Sequence, residues 1–230
     1  MSNEGTAIVT GTSSGIGKAI AQTLLGEGWR VVGFDIAPSG IAHAAFDAVR
    51  VDLSDGAAAE ATAAKASGAR ALIHAAGAAR YAPLGDLRPA DSEAIWRVHV
   101  EAVVRMANIV IPAMAARRFG RVVLIGSRAS QGIAGRSQYG AAKAALVGLA
   151  RSWAVEVVAS GVTVNVVSPA ATQTAMLDDP ARKADPPQMP PIGRYIRPDE
   201  IAATVSFLLS PAAATITGQE IMICGGASLG

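Results

Sequence analysis

Cysteine is nearly absent from this sequence. Cys224 stands alone, which excludes an internal disulfide and leaves too few thiolates for a zinc site. A small buried hydrophobe near the last strand is its expected role. Aromatic residues are scarce, at 4%. Blocks of like charge are missing too: 20 basic against 18 acidic residues leave +2, unlike the footprint of a nucleic-acid or anionic-membrane binder. No window of about 18 uninterrupted apolar residues predicts a transmembrane span. Met1 to Gly5 run into an apolar strand with no basic region and long apolar segment of a signal peptide. The expectation is a cytoplasmic protein in a reducing compartment.

What is present is aliphatic. Hydrophobic residues make up 51% of 230, enough for one large packed domain spanning 1–230. Short β-branched runs recur at Ala7 to Thr10, Val31 to Asp35, Ala48 to Val51, Ala71 to His74, Arg121 to Ile125, Val162 to Val167 and Glu220 to Ile223. Helical patterns lie between them at 15–27, 55–67, 91–116, 138–159 and 198–209, the last two starting near Ser137 and after Pro198 as caps and first-turn prolines predict. Such alternation predicts an α/β fold: a single doubly wound Rossmann-type domain with a mainly parallel sheet of about seven strands. Asp35 to Asp52 is too short for a long helix plus a strand, so a truncated or absent crossover helix is expected there. Gln173 to Pro198 is rich in proline and sustains neither period; after the strand 162–167 it falls on the carboxyl edge, where a substrate lid is expected over 173–198.

The chemistry gathers on that edge. The first strand runs into Thr10-Gly11-Thr12-Ser13-Ser14-Gly15-Ile16-Gly17 and then a helix. Glycines there permit a tight turn and let backbone N–H groups approach a pyrophosphate at the helix amino terminus. Asp35 closes the second strand, where a carboxylate accepts hydrogen bonds from both hydroxyls of an adenosine ribose and repels a 2′-phosphate. Neither Thr12 nor Ile36 supplies a compensating cation, so NAD is expected over NADP. Tyr139 and Lys143 share one helix face at i and i+4. Alone, such a pair is an ordinary surface pair; a cation beside a phenol, however, favours the phenolate and brings a weak base into range. Ser127 follows the strand 121–125 on the same edge, where its hydroxyl can bond a substrate oxygen.

Together these residues resemble the short-chain dehydrogenase/reductase family, and the resemblance covers nearly the whole chain. It implies that Gly11, Ser13, Ser14, Gly15, Ile16 and Gly17 hold an NAD pyrophosphate, with Asp52-Leu53 at the adenine. His74-Ala75-Ala76-Gly77 takes the place of the family's Asn-Asn-Ala-Gly segment, and Pro169, Ala170 and Thr172 belong to the stretch that meets the nicotinamide. Tyr139 would exchange the substrate hydroxyl proton, Ser127 would orient the oxygen, and Lys143 would hold the ribose while lowering the Tyr139 pKa. The small-molecule substrate would be an alcohol or ketone, and the assembly a homotetramer or homodimer. The long helices 91–116 and 138–159 would then pair, with Trp96, Val103, Met106, Val110 and Trp153 serving either the interface or the core.

Departures accompany the match. His99 stands where the family commonly has the Asn of a proton relay behind the lysine; histidine also binds water, but its tautomer and charge alter the relay. Ala75 and Ala170 replace Asn and Gly, and the Ser127 to Tyr139 spacing is one residue short. The short Asp35 to Asp52 connection resembles a subset that includes 2,3-dihydro-2,3-dihydroxybenzoate dehydrogenases. Arg80, Arg128 and Arg136 suggest an anionic substrate, with solvated arginines as the alternative. Two other readings stay open: a dinucleotide-binding scaffold or sensor with impaired catalysis, and an epimerase or dehydratase.

Overall fold

The computed structural model describes residues 5–175, 177 and 187–229. Seven strands form one all-parallel sheet in the order β3-β2-β1-β4-β5-β6-β7. They are β1 (Thr6–Thr10), β2 (Arg30–Asp35), β3 (Phe46–Arg50), β4 (Ala71–His74), β5 (Gly120–Ile125), β6 (Val162–Pro169) and β7 (Glu220–Ile223). The β3 run starts before its expected Ala48 because Phe46 pairs with Val31. From Ile36 to Ala45 there is no helix, as the short connection requires. Strand order reverses between β1 and β4, which opens a crevice at their carboxyl ends.

Period-two side-chain alternation explains the two helical layers. Ile8, Leu72, Val122, Leu124, Val164 and Val166 face α2 (Gly56–Lys65), α4 (Ala102–Ala116) and α5 (Ser137–Val157). Their neighbours Val9, Ile73, Val123, Ile125 and Val167 face α1 (Gly15–Gly26) and α6 (Pro198–Leu209). Each fully buried aliphatic side chain contributes about 1.5–3 kcal/mol relative to exposure, so both faces are fixed by burial. Pro198 opens α6 at its first turn, with the Glu200 carboxylate accepting the Arg197 N–H at 2.8 Å. Ser137 is the first helical residue of α5; the cap is Arg136, and its side chain makes no capping bond.

The helical pattern over 91–116 resolves into α3 (Pro89–Trp96), a π turn (Arg97–Glu101) and α4. The span Pro89–Ala116 is long and apolar enough to cross a membrane, but half of its apolar window is buried inside the protein. Val103, Met106 and Val110 are wholly buried beneath the sheet and serve the core, and the partly buried Trp153 packs against the same cluster. Trp96 is different, at 47% exposed. Cys224 is buried beyond β7, with its Sγ 3.1 Å from Ser228 Oγ. Of the expected lid over 173–198, residues 176 and 178–186 lie outside the described residues.

Candidate active site

The β1–α1 turn is built by close approach. Gly11 has φ +76, and a Cβ there would lie 3.0 Å from the Ala76 backbone; a Cβ on Gly17 would lie 2.2 Å from Gly11 O. Side chains at either position would break the turn. The Ser14 cap makes no side-chain bond to the α1 amides, and no acidic residue occupies the first turn. Those amides remain available to an anion. At the end of β2, Asp35 Oδ2 accepts the Ser13 N–H at 2.8 Å and Oδ1 accepts the Ala37 N–H at 2.9 Å. Each oxygen keeps a further lone pair. Thr12 is buried, its hydroxyl unpartnered among the described residues and turned against Gly33 rather than into the crevice. Arg50 Nε donates to Ile36 O at 3.0 Å, so a cation does stand near the strand end. The sequence conceals it, because only the β2–β3 register brings Arg50 opposite Asp35.

The crevice floor is a directed hydrogen-bond chain. Thr10 Oγ1 accepts the Ala75 and Ala76 N–H groups at 3.0 and 2.8 Å. Its own proton is therefore given to His74 Nδ1 at 3.1 Å, and His74 Nε2–H donates to Val98 O at 3.1 Å. That assignment requires a neutral imidazole. Burial, with the Lys143 charge second, holds the His74 pKa down to about 3. The chain ties β1 and β4 to the π turn that carries His99.

Four side chains line the cleft above this floor: Lys143, Tyr139, Ser127 and His99. Lys143 is buried; its Nζ donates to Ile125 O at 2.7 Å and lies 5.7 Å from the Tyr139 ring centroid. Desolvation lowers its pKa to about 7. Tyr139 meets Tyr81 edge-on at 5.7 Å and His99 edge-on at 5.6 Å between centroids. Ser127 Oγ accepts the Ala129 N–H at 3.1 Å, which leaves its proton for another acceptor. The shortened loop after Ser127 forms a 3-10 turn, Arg128–Gln131, that packs on α5 through Gly140, where a Cβ would lie 2.7 Å from Ala129 O.

His99 enters through the π turn, a local widening often found at functional positions. Its Nε2 lies 2.7 Å from Ala78 O and 3.1 Å from Ala78 N. One ring nitrogen cannot both donate and accept. The shorter contact is to an oxygen and requires Nε2–H, so Nδ1 is a bare acceptor, buried and unpartnered among the described residues. Burial keeps this imidazole well below its usual pKa range, hence neutral.

Every residue expected at the site lines one cleft of about 1080 Å³: the Gly11–Gly17 loop, Asp35, Asp52-Leu53, Ala75 to Gly77, His99, Ser127, Tyr139, Lys143, Pro169, Ala170 and Thr172. Asp52 folds back on Ser54, accepting its N–H and O–H at 2.9 and 2.7 Å. Thr172 Oγ1 donates to Ala170 O at 2.9 Å. The sequence reading missed Glu220, whose Oε1 accepts from Ser168 Oγ at 2.7 Å and Ser130 Oγ at 3.0 Å, joining β7 to the Ser127 turn.

Residues 11–228 match the family model described as Enoyl-(Acyl carrier protein) reductase. The chain is 37% identical to the 3-oxoacyl-[acyl-carrier-protein] reductase FabG of Vibrio cholerae, with 96% of each chain covered. It is 30% identical to oxidoreductase UcpA of Salmonella typhimurium, covering 97% of this chain and 94% of that one. Among solved structures, a short chain dehydrogenase/reductase family protein superposes with a TM-score of 0.91 at 34% identity over 100% of both chains. A 3-oxoacyl (acyl-carrier-protein) reductase from Agrobacterium tumefaciens C58 with NADP bound gives 0.86 at 31% identity, covering 96% of this chain and 93% of that one. Fold, cleft and full-length similarity agree: the chain belongs to the short-chain dehydrogenase/reductase family of oxidoreductases.

Proposed function

We propose that this protein interconverts a secondary alcohol and a ketone with NAD(H), using Tyr139 as the acid/base. The observation that carries this reading is that Ser127, Tyr139 and Lys143 line the same cleft as the glycine turn and Asp35, with Lys143 Nζ 5.7 Å from the Tyr139 ring centroid. The residues fit a dinucleotide: the Gly11/Gly17 turn is closed to side chains, the α1 amides are uncapped by side chains, and Asp35 presents a carboxylate where a ribose diol would lie. When bound, the nicotinamide supplies or accepts the hydride. Around it, the protein moves one proton. In the reducing direction the Tyr139 hydroxyl gives its proton to the substrate oxygen as the C–H bond forms, while the Ser127 hydroxyl donates a hydrogen bond to that oxygen. The Lys143 ammonium stabilises the phenolate left behind and binds the ribose.

Asp35 supports NAD over NADP, because a 2′-phosphate would meet its carboxylate. The names of the relatives recommend a 3-oxoacyl group as the first reference carbonyl. Exposed Trp96, Val104 and Val155 on the α3–α4 and α5 helices support a homodimer or homotetramer of one-domain subunits. The presence of Tyr139, Ser127 and Lys143 along one cleft speaks against impaired catalysis.

NADH- and NADPH-linked turnover on neutral ketones and 3-oxo esters tests the proposal, with Tyr139→Phe as the control. Turnover with NADH that vanishes in Tyr139→Phe is expected. Absence of turnover with either cofactor on the whole series would overturn the reading.

A further inference from the structure

The two ends of the cleft carry opposite charge. Among its described lining residues the carboxylates are Asp35 and Asp52, both at the expected adenosine end, whereas Arg80, Arg128 and Arg136 stand in the segments of Tyr81, Ser127 and Tyr139, and Arg97 in the π turn that carries His99. Three of these cations have neighbours that account for them. Arg97 pairs with Glu93, Arg80 lies 3.9 Å from Asp91, and Arg136 stacks 4.9 Å from the Tyr81 ring. Arg128 does not: it is partly buried, follows Ser127 directly, lines the cleft, and makes no hydrogen bond or ion pair with a described residue.

The Arg128 guanidinium opens on the cleft with donors that no described residue engages, so an anionic group of a substrate can take the place of water there. Its planar fork matches a carboxylate bidentately, and Lys does not reproduce that geometry. We infer that the substrate carries a carboxylate a few bonds from the reacting carbon, and that Arg128 is the residue that selects it. This inference rests on the oxidoreductase reading above and narrows its substrate class to oxo and hydroxy carboxylic acids. Ser127 and Arg128 line the same cleft, so one substrate can present its reacting oxygen to the first and its carboxylate to the second. The reaction stays balanced as before, with one hydride to the carbonyl carbon and one proton to its oxygen.

Matched pairs test this: 2-oxo, 3-oxo and ring-ketone carboxylic acids, each against its methyl ester and its phosphonate analogue, assayed with NADH on the wild type, Arg128→Gln and Arg128→Lys. The expected kcat/KM preference for acid over ester in at least one pair is about tenfold or more, the scale of a hydrogen bond to a charged group. In Arg128→Gln that ratio collapses toward one, and Arg128→Lys recovers only part of it. Wild-type ratios near one throughout, or an unchanged ratio in Arg128→Gln, overturn the inference while leaving the oxidoreductase reading intact. A phosphonate preferred over the carboxylate also overturns the choice of anion. Should none of the compounds turn over, titration of the NADH-loaded protein by fluorescence still decides the point. Acid binding that is tighter than ester binding and is lost in Arg128→Gln upholds the inference alone, and equal binding ends it. Thermal melts of both variants confirm that they are folded.

Discussion

Gly77 lies against the edge of His99, so closely that a Cβ at position 77 would sit 2.2 Å from His99 Cε1 and 2.9 Å from Nδ1. The imidazole is itself pinned by Ala78 O and by the edge-on Tyr139 ring, and cannot step aside without disturbing the proposed acid/base. Gly77→Ala should therefore cost about 1–3 kcal/mol of stability, the usual range for overpacking, and also lower kcat. His99→Asn removes the Cε1 edge, so the double variant Gly77→Ala/His99→Asn should recover part of both losses. Urea unfolding and steady-state kinetics on the four proteins form a double-mutant cycle. Strict additivity would show that the two residues do not press on one another.

Burial of Lys143 makes a prediction in pH. Its folded pKa, about 7, lies below its ordinary lysine value. Between those values the unfolded chain binds more protons than the folded one, so stability rises with pH across that window; below it both states are protonated and the full desolvation cost is felt. Lys143→Met removes the titration. Without cofactor, the wild type should be less stable than Lys143→Met at pH about 6, with the gap narrowing toward pH about 9. Parallel urea midpoints for the two proteins over that range would contradict the assigned burial.

Asp35 joins cofactor choice to loop shape, because the same carboxylate that would bind ribose holds Ser13 N–H and Ala37 N–H. Asp35→Asn keeps one acceptor and removes the charge. It should cost kcat/KM with NADH by about tenfold or more, the scale of a lost charge-assisted hydrogen bond, while narrowing the NADH-to-NADPH ratio. Competition of the two cofactors in one assay measures that ratio directly. A ratio indifferent to Asp35→Asn would assign selectivity elsewhere, with Arg50 the first residue to examine.

Much of this was legible in the sequence. The alternation of β-branched runs and alanine-rich helices reflects side-chain periods that burial enforces, so the parallel sheet and the edge carrying Gly11, Asp35, Ser127 and Tyr139 were readable. What escaped was set by register and by backbone detail. Arg50 comes beside the end of β2 only through pairing with Asp35, and nothing in its neighbours announces that. The π turn at Arg97–Glu101 lies within an ordinary helical pattern and changes where His99 points. Val103, Met106 and Val110 could serve a core or an interface on sequence alone, because an apolar stripe does not say what covers it; the sheet does.

Glu220 was silent for the same reason, and it supplies the sharpest structural test. Its carboxylate takes hydrogen bonds from Ser168, fully buried at the end of β6, and from Ser130 in the turn that follows Ser127. Gly126 is packed so tightly there that a Cβ would lie 2.3 Å from Ser168 Oγ, so the turn has little freedom to find another partner. Removing the acceptor in Glu220→Ala leaves two hydroxyls unsatisfied and should cost about 1–3 kcal/mol, whereas Glu220→Gln keeps a carbonyl for both and should lose less. If Glu220 positions the turn, the loss in Glu220→Ala will also appear in kcat, and Glu220→Gln will restore most of it. If both variants unfold earlier yet turn over like the wild type, Glu220 serves stability alone, and Ser127 is held by its own Ala129 bond.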